Sequence, residues 1–179
     1  MEIASKALYN SLRINWLRNP HFPIESWKVQ DYRALTLEEI FSKLRQYDIV
    51  LDRTSFIAYS DEFDSPEELT ENILLDLEHD IDSYDQIYLL LFELWRRITP
   101  EKPSISVICD ELDYQIFHHD SGNELGFEAL QDALSMFLNV LEENVDHGID
   151  PKIAFMTICE YCAHDISLFL SDYICVYYN

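Results

Sequence analysis

Apolar side chains recur at helical spacing along almost the whole chain, and this period limits the fold more than any other feature of the sequence. The clearest stripe consists of Leu130, Leu134, Phe137, Leu138, Leu141 and Val145. Residues three or four positions apart lie on one face of an α-helix, so the stripe marks a face that packs on a core. Only 3 glycines occur among 179 residues, too few for the many tight turns of a β-sandwich or barrel. The sequence therefore predicts an all-α protein.

Eight helices are predicted from the stripes and from the residues that begin and end them. In a capping box, the side chains of the first residue and of the residue three positions later each bind the other's backbone. Three pairs have this spacing: Thr36 with Glu39, Ser65 with Glu68, and Ser83 with Gln86. The predicted helices cover residues 3–18, 36–47, 52–60, 66–81, 84–98, 104–119, 124–146 and 151–177.

The predicted arrangement is about seven or eight mostly antiparallel helices, because the connections after residue 61 are short. A helical bundle and a short α-solenoid-like array are both compatible with this pattern. The helices at 84–98 and 151–177 are apolar on more than one side and are expected at the centre. A chain of this length usually forms one domain, so residues 1–179 are expected to form a single all-α domain.

The net charge of −22 is concentrated in one part of the chain. Residues 1–53 carry 8 Lys or Arg and 7 Asp or Glu, a net charge of +1. Residues 54–179 carry 4 Lys or Arg and 27 Asp or Glu, a net charge of −23. Nucleic acids and anionic membranes attract Lys and Arg, so this acidic body excludes both as partners. A basic protein surface is the expected partner.

The compartment is inferred from features that the sequence lacks. Residues 1–16 show no basic segment leading into an apolar one, so no signal peptide is predicted. The most apolar tract, residues 166–178, is shorter than a membrane span and is interrupted by Asp172. Four cysteines are too few for a disulfide scaffold at this length. A cytoplasmic protein with reduced thiols is expected.

The strongest charged feature is residues 61–85, which hold 11 Asp or Glu and no Lys or Arg. A docking surface for a basic partner is one interpretation, and a solvated face that only keeps the protein soluble is another. A calcium site is a third, although the glycine and the distal glutamate of an EF-hand loop are missing. The candidate binding residues are Asp61, Glu62, Asp64, Glu67, Glu68, Glu71, Asp76, Glu78, Asp80 and Asp82.

Residues 19–34 are expected to form a loop or an extended arm, because Pro20 and Pro23 interrupt the helical pattern. Trp27 and Tyr32 lie in this arm. Aromatic side chains dominate interface hot spots, so both residues are candidate binding residues. The alternative is that they fasten the arm to the helices.

Three His-Asp dipeptides support an alternative enzymatic hypothesis. Helical metal-dependent phosphohydrolases of the HD type use such a dipeptide, together with an upstream histidine and a downstream aspartate. Here the corresponding set would be His79, His119, Asp120 and Asp165. Against this reading, phosphate substrates are usually held by Arg or Lys, and few of these follow residue 53.

Cys159 and Cys162 form a Cys-x-x-Cys motif close to His164. On one continuous helix, His164 lies about 140° from Cys159, so the three side chains converge only if the helix unwinds. Zinc would also need ligands from elsewhere in the chain. These cysteines are expected to be core residues, and no metal or cofactor is predicted.

The favoured hypothesis is a non-enzymatic, acidic protein-interaction module that binds a basic partner. Inhibitors or immunity proteins, nucleic-acid mimics and chaperones all share this composition. No phosphate-binding glycine loop, G-x-S-x-G or H-E-x-x-H motif is present. The alternatives are the HD-type hydrolase and a structural subunit whose acidity serves only solubility. A homodimer through the aromatic arm or the last helix is also compatible with the sequence.

Overall fold

The computed structural model describes residues 3–75, 81–120 and 127–177. All regular secondary structure in these residues is helical, which confirms the predicted fold class. The described α-helices are α1 (Lys6–Arg18), α2 (Leu37–Arg45), α3 (Arg53–Ser60), α4 (Pro66–Leu74), α5 (Ile81–Ile98), α6 (Ile105–Asp120), α7 (Phe127–Asp146), α8 (Pro151–Cys159) and α9 (Ile166–Tyr177). Two short 3-10 helices, Ser26–Val29 and Tyr32–Ala34, lie between α1 and α2.

The described residues contain nine α-helices rather than seven or eight, because the single helix predicted for residues 151–177 is two helices. Residues 160–165 form the turn between α8 and α9. Part of the predicted helix 66–81 falls on residues 76–80, which lie outside the described residues; α4 itself ends at Leu74. None of the described helices is long and apolar enough to span a membrane.

The helix starts follow the predicted capping signals at two of the three positions. At α2, the Thr36 hydroxyl accepts from the Glu39 amide at 3.2 Å, and the Glu39 carboxylate accepts from the Thr36 amide at 2.7 Å. At α4, Ser65 caps the helix in the same way, but the Glu68 carboxylate binds the amide of Asp64 instead. The box predicted at Ser83 is wrong, because α5 begins two residues earlier at Ile81.

The helices fall into two compact units. The first unit comprises Met1–Ser5 and Pro20–Val107. Helix α5 is its centre and contacts α2, α3, α4 and the 3-10 helix at Tyr32–Ala34. Fully buried side chains cover several faces of α5: Ile87, Tyr88, Leu91, Phe92, Leu94 and Trp95. The central position predicted for this helix is confirmed within the unit.

The second unit comprises Lys6–Asn19 and Ile108–Asn179. It contains α1, most of α6, and α7 to α9. Helix α1 is attached to α6 by polar contacts: Lys6 pairs with Asp110 at 2.7 Å, and the Asn10 amide donates to the same carboxylate at 2.9 Å. The single domain expected from the chain length stays a prediction.

The last predicted helix is less buried than its composition suggests. Its core side chains include Ile158 and Ile166, each at most 2% exposed. In contrast, Ile153 on α8 and Leu168 on α9 are each 60% exposed. The expectation that this whole segment lies at the centre is therefore wrong, because the turn at 160–165 redirects the chain and only one side of each helix packs on its neighbours.

Candidate functional site

Five carboxylates at the end of α3 and along α4 form an exposed acidic surface. These residues, hereafter the acidic surface, are Asp61, Glu62, Asp64, Glu68 and Glu71. All belong to the predicted binding set. None takes part in an ion pair with a Lys or Arg within the described parts of the chain. The acidic surface therefore presents uncompensated negative charge to solvent.

The other predicted acidic residues are placed differently. Glu67 accepts hydrogen bonds from the Tyr88 hydroxyl at 2.6 Å and from the Ser106 hydroxyl at 3.0 Å, so it is bound within its own unit. Asp82 lies 3.9 Å from the ammonium group of Lys28. Asp85 belongs to the same acidic stretch but not to the predicted binding set; it is buried and accepts from the amide of Ala4. Asp76, Glu78 and Asp80 lie outside the described residues.

A basic side chain that reaches the turn between α3 and α4, Lys102, is engaged with the backbone there. The ammonium group of Lys102 donates to the carbonyls of Ser60 at 2.9 Å and Phe63 at 2.8 Å. The carbonyl of Lys102 in turn accepts from the indole N–H of Trp95 at 2.8 Å. Lys102 thus stabilises the turn between α3 and α4 instead of neutralising the carboxylates next to it.

The aromatic arm is fastened to α5. The guanidinium group of Arg97 donates to the carbonyls of Leu35 at 2.6 Å, Arg33 at 2.8 Å and Tyr32 at 3.2 Å. The Tyr32 hydroxyl donates to the carbonyl of Trp27 at 3.2 Å, and burial raises the pKa of this phenol. Both candidate binding residues of the arm are half-buried. These contacts favour the alternative in which Trp27 and Tyr32 hold the arm in place.

Arg97 is itself oriented by a buried carboxylate. Glu93, on the preceding turn of α5, is 2% exposed and binds the guanidinium groups of both Arg97 and Arg96. A buried carboxylate is tolerated when charged donors surround it. Arg96 and Arg97 are the two arginines after residue 53 that could have bound a phosphate ligand. Both are instead paired with Glu93.

A pocket of about 310 Å³ lies in the second unit, between the end of α6, the turn at 160–165 and α9. Its lining residues are Ile116, His119, Asp120, His164, Asp165, Leu168, Phe169, Asp172 and Tyr173. Three of the four residues in the hydrolase hypothesis, His119, Asp120 and Asp165, share this pocket. The fourth, His79, lies outside the described residues.

The turn that forms one wall of the pocket is held by Asp113 of α6. The Asp113 carboxylate accepts the backbone amides of Ala163 at 2.7 Å and of His164 at 3.0 Å. It also accepts the Nδ1–H of the His164 ring at 2.8 Å. Asp165 then caps α9, because its carboxylate accepts the amide of Leu168 at 3.0 Å. Asp113 is 2% exposed, so these bonds are made away from solvent.

The second nitrogen of the His164 ring finds no hydrogen-bond partner among the residues that the structure describes. Since a carboxylate that already accepts two amides can only accept, Nδ1 carries the proton in the contact with Asp113. In the neutral ring Nε2 is then an acceptor. This Nε2 atom is buried, and no described residue donates a hydrogen bond to it. A buried acceptor without a donor is unusual in native proteins.

No family model, curated protein or solved structure matches this chain.

The described donors do not form a metal centre: no group of three or more His, Cys, Asp or Glu side chains in the described ranges is arranged to hold an ion. The carboxylates and imidazoles of the pocket surround a space instead of converging on one point.

The two cysteines of the Cys-x-x-Cys motif lie on either side of the point where α8 ends. Cys159 is the last residue of this helix, and Cys162 lies in the turn. A hydrogen bond with Cys109, then burial, raises the pKa of Cys162. Burial, then the neighbouring Cys162, raises the pKa of Cys159 to about 11. Thiols with raised pKa values stay protonated at neutral pH, so they are poor nucleophiles and poor metal ligands.

Sequence reasoning missed Asp113, which positions the pocket. In the sequence, Asp113 is one of several acids on α6 and belongs to no motif. A usable signal was Asp165, a good helix N-cap followed by an apolar run, which marks a second helix start inside residues 151–177.

Proposed function

We propose that this protein is a non-enzymatic interaction module whose acidic surface binds a basic protein. The observation that carries the proposal is the absence of any Lys or Arg ion pair at Asp61, Glu62, Asp64, Glu68 and Glu71 within the described parts of the chain. Internal salt bridges would have reduced the field of these carboxylates. Left uncompensated, they attract a positively charged surface and accelerate its encounter.

Three partner classes fit the proposal equally well: a toxin neutralised by an inhibitor, a protein that normally binds nucleic acid, and a basic cargo protected by a chaperone. All three would lose affinity as salt concentration rises, because exposed charges are screened. The proposal commits to the shared chemistry, a Lys- and Arg-rich protein surface.

The test is an affinity capture from native lysate at low and high salt, read by mass spectrometry, with charge-reversed variants alongside the wild type. The variant Asp61→Lys/Glu62→Lys/Glu71→Lys changes three exposed side chains that form no side-chain hydrogen bond or ion pair with any described residue. It avoids Glu67 and Glu68, which bind their own unit.

The matched control is Asp132→Lys/Glu142→Lys/Glu143→Lys on α7. Its three side chains are equally exposed, and it changes the net charge by the same amount. A basic protein that binds the wild type and the control, but not the first variant, supports the proposal. Equal capture by all three proteins at low salt would contradict it and would favour acidity that serves only solubility.

The metal-dependent hydrolase is the second candidate, because His119, Asp120 and Asp165 line one pocket. It predicts near-stoichiometric zinc, manganese or iron in protein purified without chelators. It also predicts loss of that metal in His119→Ala. Metal-free protein whose thermal midpoint is unchanged by divalent ions would exclude this candidate.

A further inference from the structure

We infer that the pocket in the second unit binds the guanidinium group of an arginine side chain. This inference deepens the proposed function, and rests on it, by naming the side chain that a basic partner would place in this unit.

The pocket is strongly acidic and contains no compensating base. Asp120, Asp165 and Asp172 are all exposed at its rim. None of its nine lining residues is a Lys or Arg. Between residues 108 and 179 the sequence has 14 Asp or Glu and a single Lys or Arg, Lys152. An organic cation is the ligand class that this environment stabilises.

One wall of the pocket is aromatic. The rings of Phe169 and Tyr173 lie 5.7 Å apart, and both contact His119, at centroid distances of 6.5 and 6.3 Å. The face of an aromatic ring attracts a cation, and a planar guanidinium group also stacks on it. A wall of this kind next to three carboxylates favours guanidinium over a small inorganic ion.

The acidic rim offers several acceptors to a ligand that donates many hydrogen bonds. Guanidinium carries five N–H donors in one plane and accepts none. The exposed carboxylates of Asp120, Asp165 and Asp172 are acceptors of this kind.

The arrangement of the polar side chains in the pocket favours guanidinium over a metal ion. A metal needs its ligands at about 2 Å from one point, and no described group of three side chains is so arranged. Guanidinium spreads its charge and its donors over a plane, so it binds acceptors that surround a space. The volume of about 310 Å³ is at the small end of ligand pockets, about 300–1,000 Å³. It suits a side chain better than a large cofactor.

The test titrates the full-length protein with N-acetyl-L-arginine amide and follows backbone NMR signals. The expected result is saturable shifts at Asp165, Phe169 and Tyr173. The uncharged analogue N-acetyl-L-citrulline amide has a similar shape and is expected to bind at least about tenfold more weakly, because it lacks the positive charge. Equal binding of the two compounds, or no saturable shift at these residues, would overturn the inference.

A charge-matched pair of variants shows whether the pocket itself is responsible. Asp120→Asn/Asp165→Asn/Asp172→Asn is expected to lower the arginine affinity at least about tenfold; asparagine preserves the cap that Asp165 provides for α9. The control Asp132→Asn/Glu142→Gln/Asp146→Asn removes the same charge from α7 and is expected to keep the wild-type affinity. Equal losses of arginine affinity in both variants would show that only the net charge matters and would overturn the inference.

Two further outcomes separate this site from the other hypotheses. Stoichiometric binding of Zn²⁺ or Mn²⁺ at the pocket residues, with no arginine binding, would overturn the inference in favour of the hydrolase. A basic partner lost only in the acidic-surface variant, together with no arginine binding, would leave the proposed function standing and the pocket inference wrong. Arginine binding without any captured partner would support the pocket and contradict the proposed function.

Discussion

The buried carboxylate of Asp113 binds both the backbone amide and the ring Nδ1 of His164, at 3.0 and 2.8 Å, across 51 positions of the chain. The same carboxylate accepts the amide of Ala163 through its other oxygen at 2.7 Å. A side chain of α6 thus takes the place of the helical carbonyls that these amides would bind if α8 continued. This contact ends one helix, shapes the pocket and fixes the tautomer of a histidine.

Replacement of Asp113 by asparagine is expected to destabilise the second unit by about 2–3 kcal/mol. Both Asp113 oxygens accept from N–H groups, so either orientation of an asparagine amide directs its NH₂ at another donor. Chemical denaturation monitored by circular dichroism measures the change. Asp132→Asn, on the exposed face of α7, removes the same charge and should stay within about 0.5 kcal/mol of the wild type. A similarly small effect for Asp113→Asn would show that the carboxylate does not hold the turn.

Substitution of Arg97 by lysine is expected to release the arm at residues 19–34. Lysine keeps the charge near Glu93 but cannot reach the three carbonyls that the guanidinium fork binds. Limited trypsin digestion at Lys28 and Arg33 should therefore accelerate, while the helical content stays unchanged. Arg53→Lys at the exposed start of α3 is the control and should be cleaved like the wild type. If cleavage in the arm is unchanged in Arg97→Lys, the arm is held by other contacts.

The cap of α2 gives a defined pH dependence. Hydrogen bonds from the backbone and hydroxyl of Thr36 lower the pKa of Glu39. A lowered pKa in the folded state means that the contribution to stability is present above the unfolded pKa of about 4.3 and is lost as the pH falls through the folded value. The thermal midpoint of Glu39→Gln should lie below that of the wild type at neutral pH, and the difference should shrink as acid protonates Glu39 in the folded wild type.

Glu38→Gln is the control for this prediction. Glu38 is in the same first turn of α2 and is also exposed, but the capping box of this helix is formed by Thr36 and Glu39 and not by Glu38. Its midpoint should follow the wild type more closely throughout the titration. If the two variants have the same pH profile, the effect comes from the helix dipole and not from the capping box.

The four thiols are expected to differ widely in reactivity. Cys175 is exposed, whereas Cys109 is buried and Cys159 has its pKa raised to about 11. A rise of this size from the ordinary value of about 8.5 lowers the thiolate fraction more than about 100-fold at pH 8. Titration of the native protein with a disulfide reagent should show one fast thiol, which disappears in Cys175→Ser. Several fast thiols in the native protein would contradict this prediction.

The raised pKa of Cys159 also predicts how the stability of the protein changes at high pH. Because the folded state binds the Cys159 proton more tightly than the unfolded state, stability should fall as the pH rises from about 8.5 towards 11. Cys159→Ala should reduce this fall. Measurement of the thermal midpoint between pH 7.5 and 10.5 tests the prediction, and an unchanged slope in the variant would assign the fall to other groups.

Local patterns accounted for much of the helical structure. The stripe from Leu130 to Val145 predicted α7, and Thr36 with Glu39 predicted the start of α2, because periodicity and capping act within a few residues. The exposed carboxylates from Asp61 to Glu71 were also identifiable from the sequence, since such a density of acids without bases cannot be buried. The same reasoning failed at residues 160–165, where the apolar pattern continues through a break in the helix.

The sequence by itself determined that the chain is helical, that it is acidic, and where most of its helices begin, because these properties depend on neighbouring residues. Only the tertiary structure decided what Asp113, Arg97 and Lys102 do. Each binds backbone groups 39 to 65 positions away, and no local pattern specifies which carbonyl or amide will come within hydrogen-bond distance of a charged side chain so far along the chain. The pocket follows from the first of these contacts, because its wall exists only where a carboxylate from α6 holds the turn between α8 and α9.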